Sequence, residues 1–154
     1  MSNITVYYDS PLGEMEITIA FDKITSVSFG DTVTNTASKS SLVLNEVMKQ
    51  LDEYFAGGRN EFSLGIELNG TNFQRSVWEE LMRIPYGTTI TYTQLAQKLG
   101  NENAVRAVAN AVAANKLAIL IPCHRVMGKD GGLTGYRWGI EKKKWLLVHE
   151  GMIL

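Results

Sequence analysis

The apolar residues of this chain follow two different periods, and the switch between them limits the fold more than any compositional figure. Over the first thirty residues the period is near two. Residues 4–8 (Ile-Thr-Val-Tyr-Tyr), 14–21 (Glu-Met-Glu-Ile-Thr-Ile-Ala-Phe) and 24–29 (Ile-Thr-Ser-Val-Ser-Phe) are β-branched, aromatic and partly alternating. Turns are expected at Ser10-Pro11-Leu12-Gly13 and at Asp22-Lys23. This pattern predicts an antiparallel meander with one packed face. Asp31 to Ser41 is polar, rich in Thr and Ser, and reads as a loop. Residues 42–56 place Leu44, Val47, Met48, Leu51, Tyr54 and Phe55 at helical spacing, and Gly57-Gly58 stops that helix. Residues 61–68 alternate weakly and are expected to add a strand.

From residue 72 the period is helical. Thr71-Asn72 is a plausible cap for a helix with Phe73, Val77, Trp78, Leu81 and Met82 on one face. After Arg83-Ile84-Pro85-Tyr86-Gly87 and the extended Thr88–Tyr92, Thr93 is expected to cap a helix carrying Leu95, Ala96 and Leu99. Gly100 ends it, and Asn103 is expected to cap a second helix from Ala104 to Ala114. Two helices joined by a tight Gly-containing turn form a helix-turn-helix signature. The expected class is α+β: residues 1–71 form a small antiparallel sheet with a helix, and residues 72–154 form a mostly helical, winged-helix-like domain.

Charge follows the same division. Residues 1–72 carry 4 Lys/Arg against 10 Asp/Glu, whereas residues 73–154 carry 11 against 6. A balance of −6 followed by +5 suggests that the second part meets a polyanion, although attraction between the two parts explains it equally well. No apolar stretch approaches the roughly 18 residues that span a bilayer. The start, Met1-Ser2-Asn3-Ile4-Thr5, lacks the basic and apolar regions of a secretion signal. One cysteine excludes an internal disulfide, so a reducing cytoplasm is the natural setting.

That cysteine, Cys123, lies in Ile121-Pro122-Cys123-His124-Arg125-Val126, beside one of only two histidines; the other, His149, precedes Glu150. Thiol, imidazole and carboxylate are the parts that make a thiolate nucleophile near neutral pH. A lone cysteine behind an apolar run can equally be a small core hydrophobe. The run Leu117–Ile121 has strand length, and Pro122 would end the strand and leave the thiol at a turn. His124–Met127 could form a helical turn whose amides, with Arg125, favour the anion. The helix over 104–114 is also two-sided in meaning. Its Ala and Val side chains suit a tightly packed core, or a helix pressed against a wide flat partner with Arg106 projecting.

At this point the residues resemble the O6-alkylguanine-DNA alkyltransferases, the methylated-DNA–protein-cysteine methyltransferase family. The Pro-Cys-His-Arg-Val string carries most of the resemblance. Phe73-Gln74-x-x-Val77-Trp78, Ile84-Pro85-x-Gly87, Thr91-Tyr92-x-x-Leu95-Ala96, Arg106-Ala107-Val108, Gly135-Tyr136-x-x-Gly139 and Lys144-Trp145-Leu146-Leu147-x-His149-Glu150-Gly151 surround it in order. Residues 1–71 match only loosely, as a variable N-terminal domain. The resemblance implies a methylated-DNA–[protein]-cysteine S-methyltransferase that acts once. Its substrate is double-stranded DNA carrying O6-alkylguanine, with O4-alkylthymine as a second lesion. Cys123 accepts the alkyl group, His124 takes the thiol proton through a water, and Glu150 orients that imidazole. Asn115 braces the turn behind the cysteine. Arg106 fills the hole left by the extruded base, with Ala107 and Asn110 on the same DNA-facing helix. Tyr92 crowds the 3′ phosphate and protonates guanine N3. Val126, Tyr136 and the amide of Arg137 resemble the pocket wall.

Three departures bear on these expectations. Trp138 stands where many relatives have glycine, which predicts a narrower pocket. Ala113 replaces a basic residue found in some relatives, which predicts modest DNA affinity. The extra cysteines and histidines that hold zinc in some relatives are missing, so neither a metal nor a cofactor is expected. A monomer without membrane association completes the expectation. Lys142-Lys143-Lys144 reads as a solvated helix face, and His149 as a packing residue. A cysteine hydrolase, a plain winged-helix regulator and a non-catalytic binder of alkylated DNA remain the rival classes on residues alone.

Overall fold

A computed structural model describes residues 4–30 and 42–154. The loop expected from Asp31 to Ser41 lies outside the described residues. The architecture is α+β, and the described residues fall into two compact units. One takes in the residues up to Leu68 together with Lys116–Ala118, and the other Asn69–Asn115 with Ile119–Leu154.

The first unit is built on β1 (Ile4–Ser10), β2 (Gly13–Ala20) and β3 (Lys23–Phe29), an antiparallel sheet in that order. Alternation places Val6 and Tyr8, Met15, Ile17 and Ile19, and Ile24 and Val27 in the core. The second turn sits one residue earlier than expected, at Phe21-Asp22, both with positive φ (51° and 62°). A two-residue hairpin turn needs that backbone hand to match the strand twist, here without the usual glycine. Helix α1 (Leu42–Phe55) buries Leu44, Val47, Leu51 and Tyr54. Tyr8 ties β1 to it, donating to Asp52 Oδ1 at 2.6 Å and stacking on Phe55. The expected strand over 61–68 reduces to a single bridge between Ile24 and Ile66.

The second unit contains α2 (Asn72–Leu81), β4 (Ile90–Thr91), α3 (Tyr92–Lys98), α4 (Val105–Ala113), β5 (Val126–Met127) and α5 (Ile140–His149). Thr71 caps α2 through a reciprocal capping box with Gln74. The cap of α3 is Thr91, again a capping box, with Gln94; Thr93 lies inside the helix. Helix α4 has no side-chain cap, since Ala104 rather than Asn103 occupies that position. Trp78 Nε1 donates to Ala111 O at 2.8 Å and joins α2 to α4, while α3 packs on α4 as the helix-turn-helix pair.

The run Leu117–Ile121 is not a regular strand. Leu117 bridges Val27 within the first unit, after which Ile119 turns at φ 70°. A β-branched residue in that region is strained, so surrounding packing has to enforce the turn. Cys123–Arg125 then form one turn of 3-10 helix before β5 pairs in parallel with β4.

Candidate active site

Pro122 and the short turn after it orient three consecutive side chains, and all three are buried. Asn115 approaches from the end of α4. Its Nδ2 donates to Ile121 O at 3.0 Å and to Cys123 Sγ at 3.2 Å, so one amide fixes both the turn and the sulfur. His124 Nε2 shares a 2.8 Å hydrogen bond with Glu150 Oε2. Arg125 grips the same carboxylate from Nε (2.8 Å) and from its second terminal nitrogen (3.0 Å), and gives its remaining terminal nitrogen to Ile84 O (2.7 Å). The Arg125 charge is therefore turned to Glu150 rather than to the thiol, contrary to the expectation from its position in the sequence.

The electrostatics follow from that burial. Burial pushes the Cys123 thiol up to about 11, opposed by the Asn115 hydrogen bond and the charges of Lys143 and Arg137. Burial lowers His124 below the ordinary histidine value, against the pull of Glu150, so the imidazole is held neutral near pH 7. Burial would raise Glu150, but the hydrogen bonds from His124 and Arg125 outweigh it and hold the carboxyl well below the usual carboxylate range. An ionised carboxylate can only accept, so His124 Nε2 carries the proton and Nδ1 is the bare acceptor. That Nδ1 is buried and has no hydrogen-bond partner among the described residues.

Lys143 is the residue that reading the sequence missed. It belongs to a Lys142–Lys144 run expected to face solvent, yet its relative exposure is 0%. Its Nζ donates to Val126 O at 2.6 Å and reaches Thr134 O and Oγ1 at 3.4 Å. Burial brings the amine down to about 8, with the Cys123 charge acting against that shift. The signal available in the sequence was helical spacing: Leu146 and Leu147 lie three and four residues after Lys143 and share its face.

A cavity of about 340 Å3 reaches Cys123. It is lined by Tyr92 from the start of α3, by Val112 and Ala113 from α4, and by Gly135, Tyr136 and Arg137 from the loop before α5. Val126 and Trp138 lie outside this lining. Val126 is fully buried, and Trp138 stands edge-on to Tyr136 with the Arg137 guanidinium over its ring. His149 stacks on Trp145, with ring centroids 4.9 Å apart. On α4, Val108, Ala111 and Val112 are buried, whereas Arg106, Ala107, Asn110 and Ala113 are exposed along one stripe. The helix is thus both a core element and an open face of small residues with one arginine.

A helix-turn-helix pair beside a cysteine held at a cavity fits the class of α+β proteins that join a nucleic-acid-binding fold to a sulfur nucleophile. The particular family follows from comparison. Residues 72–152 match the model described as 6-O-methylguanine DNA methyltransferase, DNA binding domain, and residues 4–68 the corresponding ribonuclease-like domain. A probable methylated-DNA–protein-cysteine methyltransferase of Acanthamoeba polyphaga mimivirus is 49% identical over 83% of this chain and 82% of its own. The constitutive methylated-DNA–protein-cysteine methyltransferase of Bacillus subtilis is 46% identical over the same shares. The crystal structure of Mycobacterium tuberculosis OGT in complex with DNA superposes with a TM-score of 0.84 at 38% identity, covering 96% of this chain and 91% of that one. The chain belongs to the methylated-DNA–protein-cysteine methyltransferase family, DNA-binding enzymes of alkyl-transfer repair.

Proposed function

We propose that this protein repairs O6-alkylguanine in double-stranded DNA by moving the alkyl group irreversibly to Cys123, once per molecule, after the damaged base is flipped into the cavity. The observation that carries the reading is Cys123 at the cavity with its sulfur fixed by Asn115, next in sequence to a buried, neutral His124. O4-alkylthymine, which offers the same alkyl–oxygen bond, is the second substrate. The protein works as a monomer in the cytoplasm, where its one cysteine stays reduced.

The chemistry follows from the groups present. A thiol with its pKa near 11 is almost wholly protonated at neutral pH, so the reaction needs a base. His124 Nδ1 is the free acceptor and takes the thiol proton through a bridging water; Glu150 stabilises the resulting imidazolium. The sulfur attacks the alkyl carbon in line, the S–C bond forms, and the C–O6 bond breaks with its electron pair going to the purine. Tyr92 donates its phenolic proton to guanine N3 as the base leaves and is reprotonated from solvent. Tyr136 and the amide of Arg137, which line the cavity, read the guanine edge. The product is a thioether, with no carbonyl for water to attack, so no turnover follows.

Arg106 enters the duplex in place of the extruded base, and the exposed Ala107, Asn110 and Ala113 allow close approach of α4 without base readout. Flipping costs a few kcal/mol and is least costly at a damaged pair. Intact mass before and after mixing with O6-methylguanine duplex should rise by one methylene on the Cys123 peptide and then stop. Cys123→Ser should abolish the gain while DNA binding persists. A repeated turnover, or a gain on another residue, would sink the reading.

A further inference from the structure

The loop before α5 forms one wall of the cavity, and Arg137 attaches it to the end of the opposing helix. Arg137 lines the cavity and donates from one terminal nitrogen to Asn115 O at 3.0 Å and to Ala114 O at 3.4 Å. These carbonyls lie just past α4, where helix groups have no partner of their own and a cation is favoured. The guanidinium is also braced from behind, 5.4 Å over the Trp138 ring, which in turn meets Tyr136 edge-on at 5.4 Å. On its other side the loop is held at Thr134 by Lys143. Gly135, between these attachments, has open space around its Cβ position, so nothing packs the loop tightly there.

We propose that Arg137 is a specificity-determining latch: its guanidinium ties the 135–138 loop to the end of α4 and thereby sets how large an alkyl group can reach Cys123. The inference rests on the alkyl-transfer reading above and deepens it. A larger group needs the loop to move away from Val112 and Ala113, and that movement breaks the guanidinium–carbonyl bonds. Trp138 acts behind the latch, as its brace, and not as the wall of the pocket. Because Asn115 also holds the sulfur, the latch and the nucleophile share one residue. Opening the rim therefore loosens the backbone that positions Cys123, and small and large substrates feel this unequally.

The test compares transfer rates from O6-methylguanine and O6-benzylguanine duplexes, and from free O6-benzylguanine, followed by intact mass of the protein. Arg137→Ala is expected to raise the benzyl-to-methyl rate ratio about tenfold, the size of effect a pocket boundary supplies. Reactivity with the free base should rise in parallel, because no DNA contact contributes to it. Trp138→Ala should move the ratio the same way by less. Arg137→Lys, which keeps a cation for the carbonyls but loses the planar group over Trp138, should fall between the wild type and Arg137→Ala. An unchanged ratio in Arg137→Ala, or an equal loss of both rates, would assign the residue to phosphate contact or general structure and overturn the latch. A wild type that gains no mass from either duplex removes the underlying reading and the latch together, before any variant is compared.

Discussion

The two units of this protein bury different things. Among the described residues of the first, the core is apolar but for Gln50, which pairs with Glu46 and with the backbone of Ser63. In the second, Asn115, His124, Arg125, Lys143 and Glu150 are all buried, four of them able to carry charge. Burying charge is costly unless every partner is in place, and a half-satisfied network is worse than an apolar core. The second unit nonetheless buries them along the 121–126 turn, where Asn115 holds Ile121 and Cys123, Glu150 holds His124 and Arg125, and Lys143 holds Val126. The first is built for stability and the second for chemistry, and substitutions in the two should fail in different ways.

The sharpest contrast should come from Glu150→Gln. The change keeps the shape but removes the charge that Arg125 and His124 face, leaving a guanidinium whose side chain is only 7% exposed without a counter-ion. Breaking a buried pair from one side costs about 3–5 kcal/mol, so the midpoint of urea unfolding should fall sharply at pH 7. The wild type should also lose stability in acid: the Glu150 carboxyl is held low when folded, so below the ordinary value of 4.5 the unfolded chain takes up the proton first. That acid loss should be reduced in the variant. Equal stability of the two proteins at pH 7 would show that the cluster is not a coupled unit.

Leu51→Ala in α1 is the matching change in the apolar unit. Leu51 is fully buried, and its truncation should cost about 2–5 kcal/mol. Under conditions where the variant stays folded, its rate of alkyl transfer should match the wild type. A lower rate in fully folded protein would end the division of labour drawn above.

How far each unit could be read from its residues follows from the same contrast. The meander, α1 and the helix-turn-helix pair were legible because burial there follows periodicity. Thr91 as the true cap of α3 was legible as well, since Gln94 three residues on completes the box that Thr93 lacks. Leu117–Ile121 misled because an apolar run shows burial but not the φ of 70° at Ile119, which neighbours impose. Cys123, His124 and Glu150 stood out by rarity and by motif. The burial of Lys143 showed only in its spacing from Leu146 and Leu147, and the tie of Arg137 to α4 was hidden, because its partners are backbone carbonyls, which every residue has and no side chain advertises.

Lys143→Met offers the finest probe of how the charged core serves the thiol. Methionine keeps most of the volume but removes the cation and its bonds to Val126 and Thr134. The charge on Lys143 favours the thiolate, so its loss should slow alkylation of Cys123 by iodoacetamide about tenfold at pH 7, with methyl transfer following the same direction. The dependence on pH separates charge from packing. With its pKa near 8, the amine carries its proton below that pH and loses it above, so its help fades as pH rises through 8. The wild-type advantage should therefore be widest near pH 7 and shrink toward pH 9, with the thiol of both proteins still largely protonated. A ratio of rates that stays constant from pH 6 to 10 would mean that Lys143 only fills space.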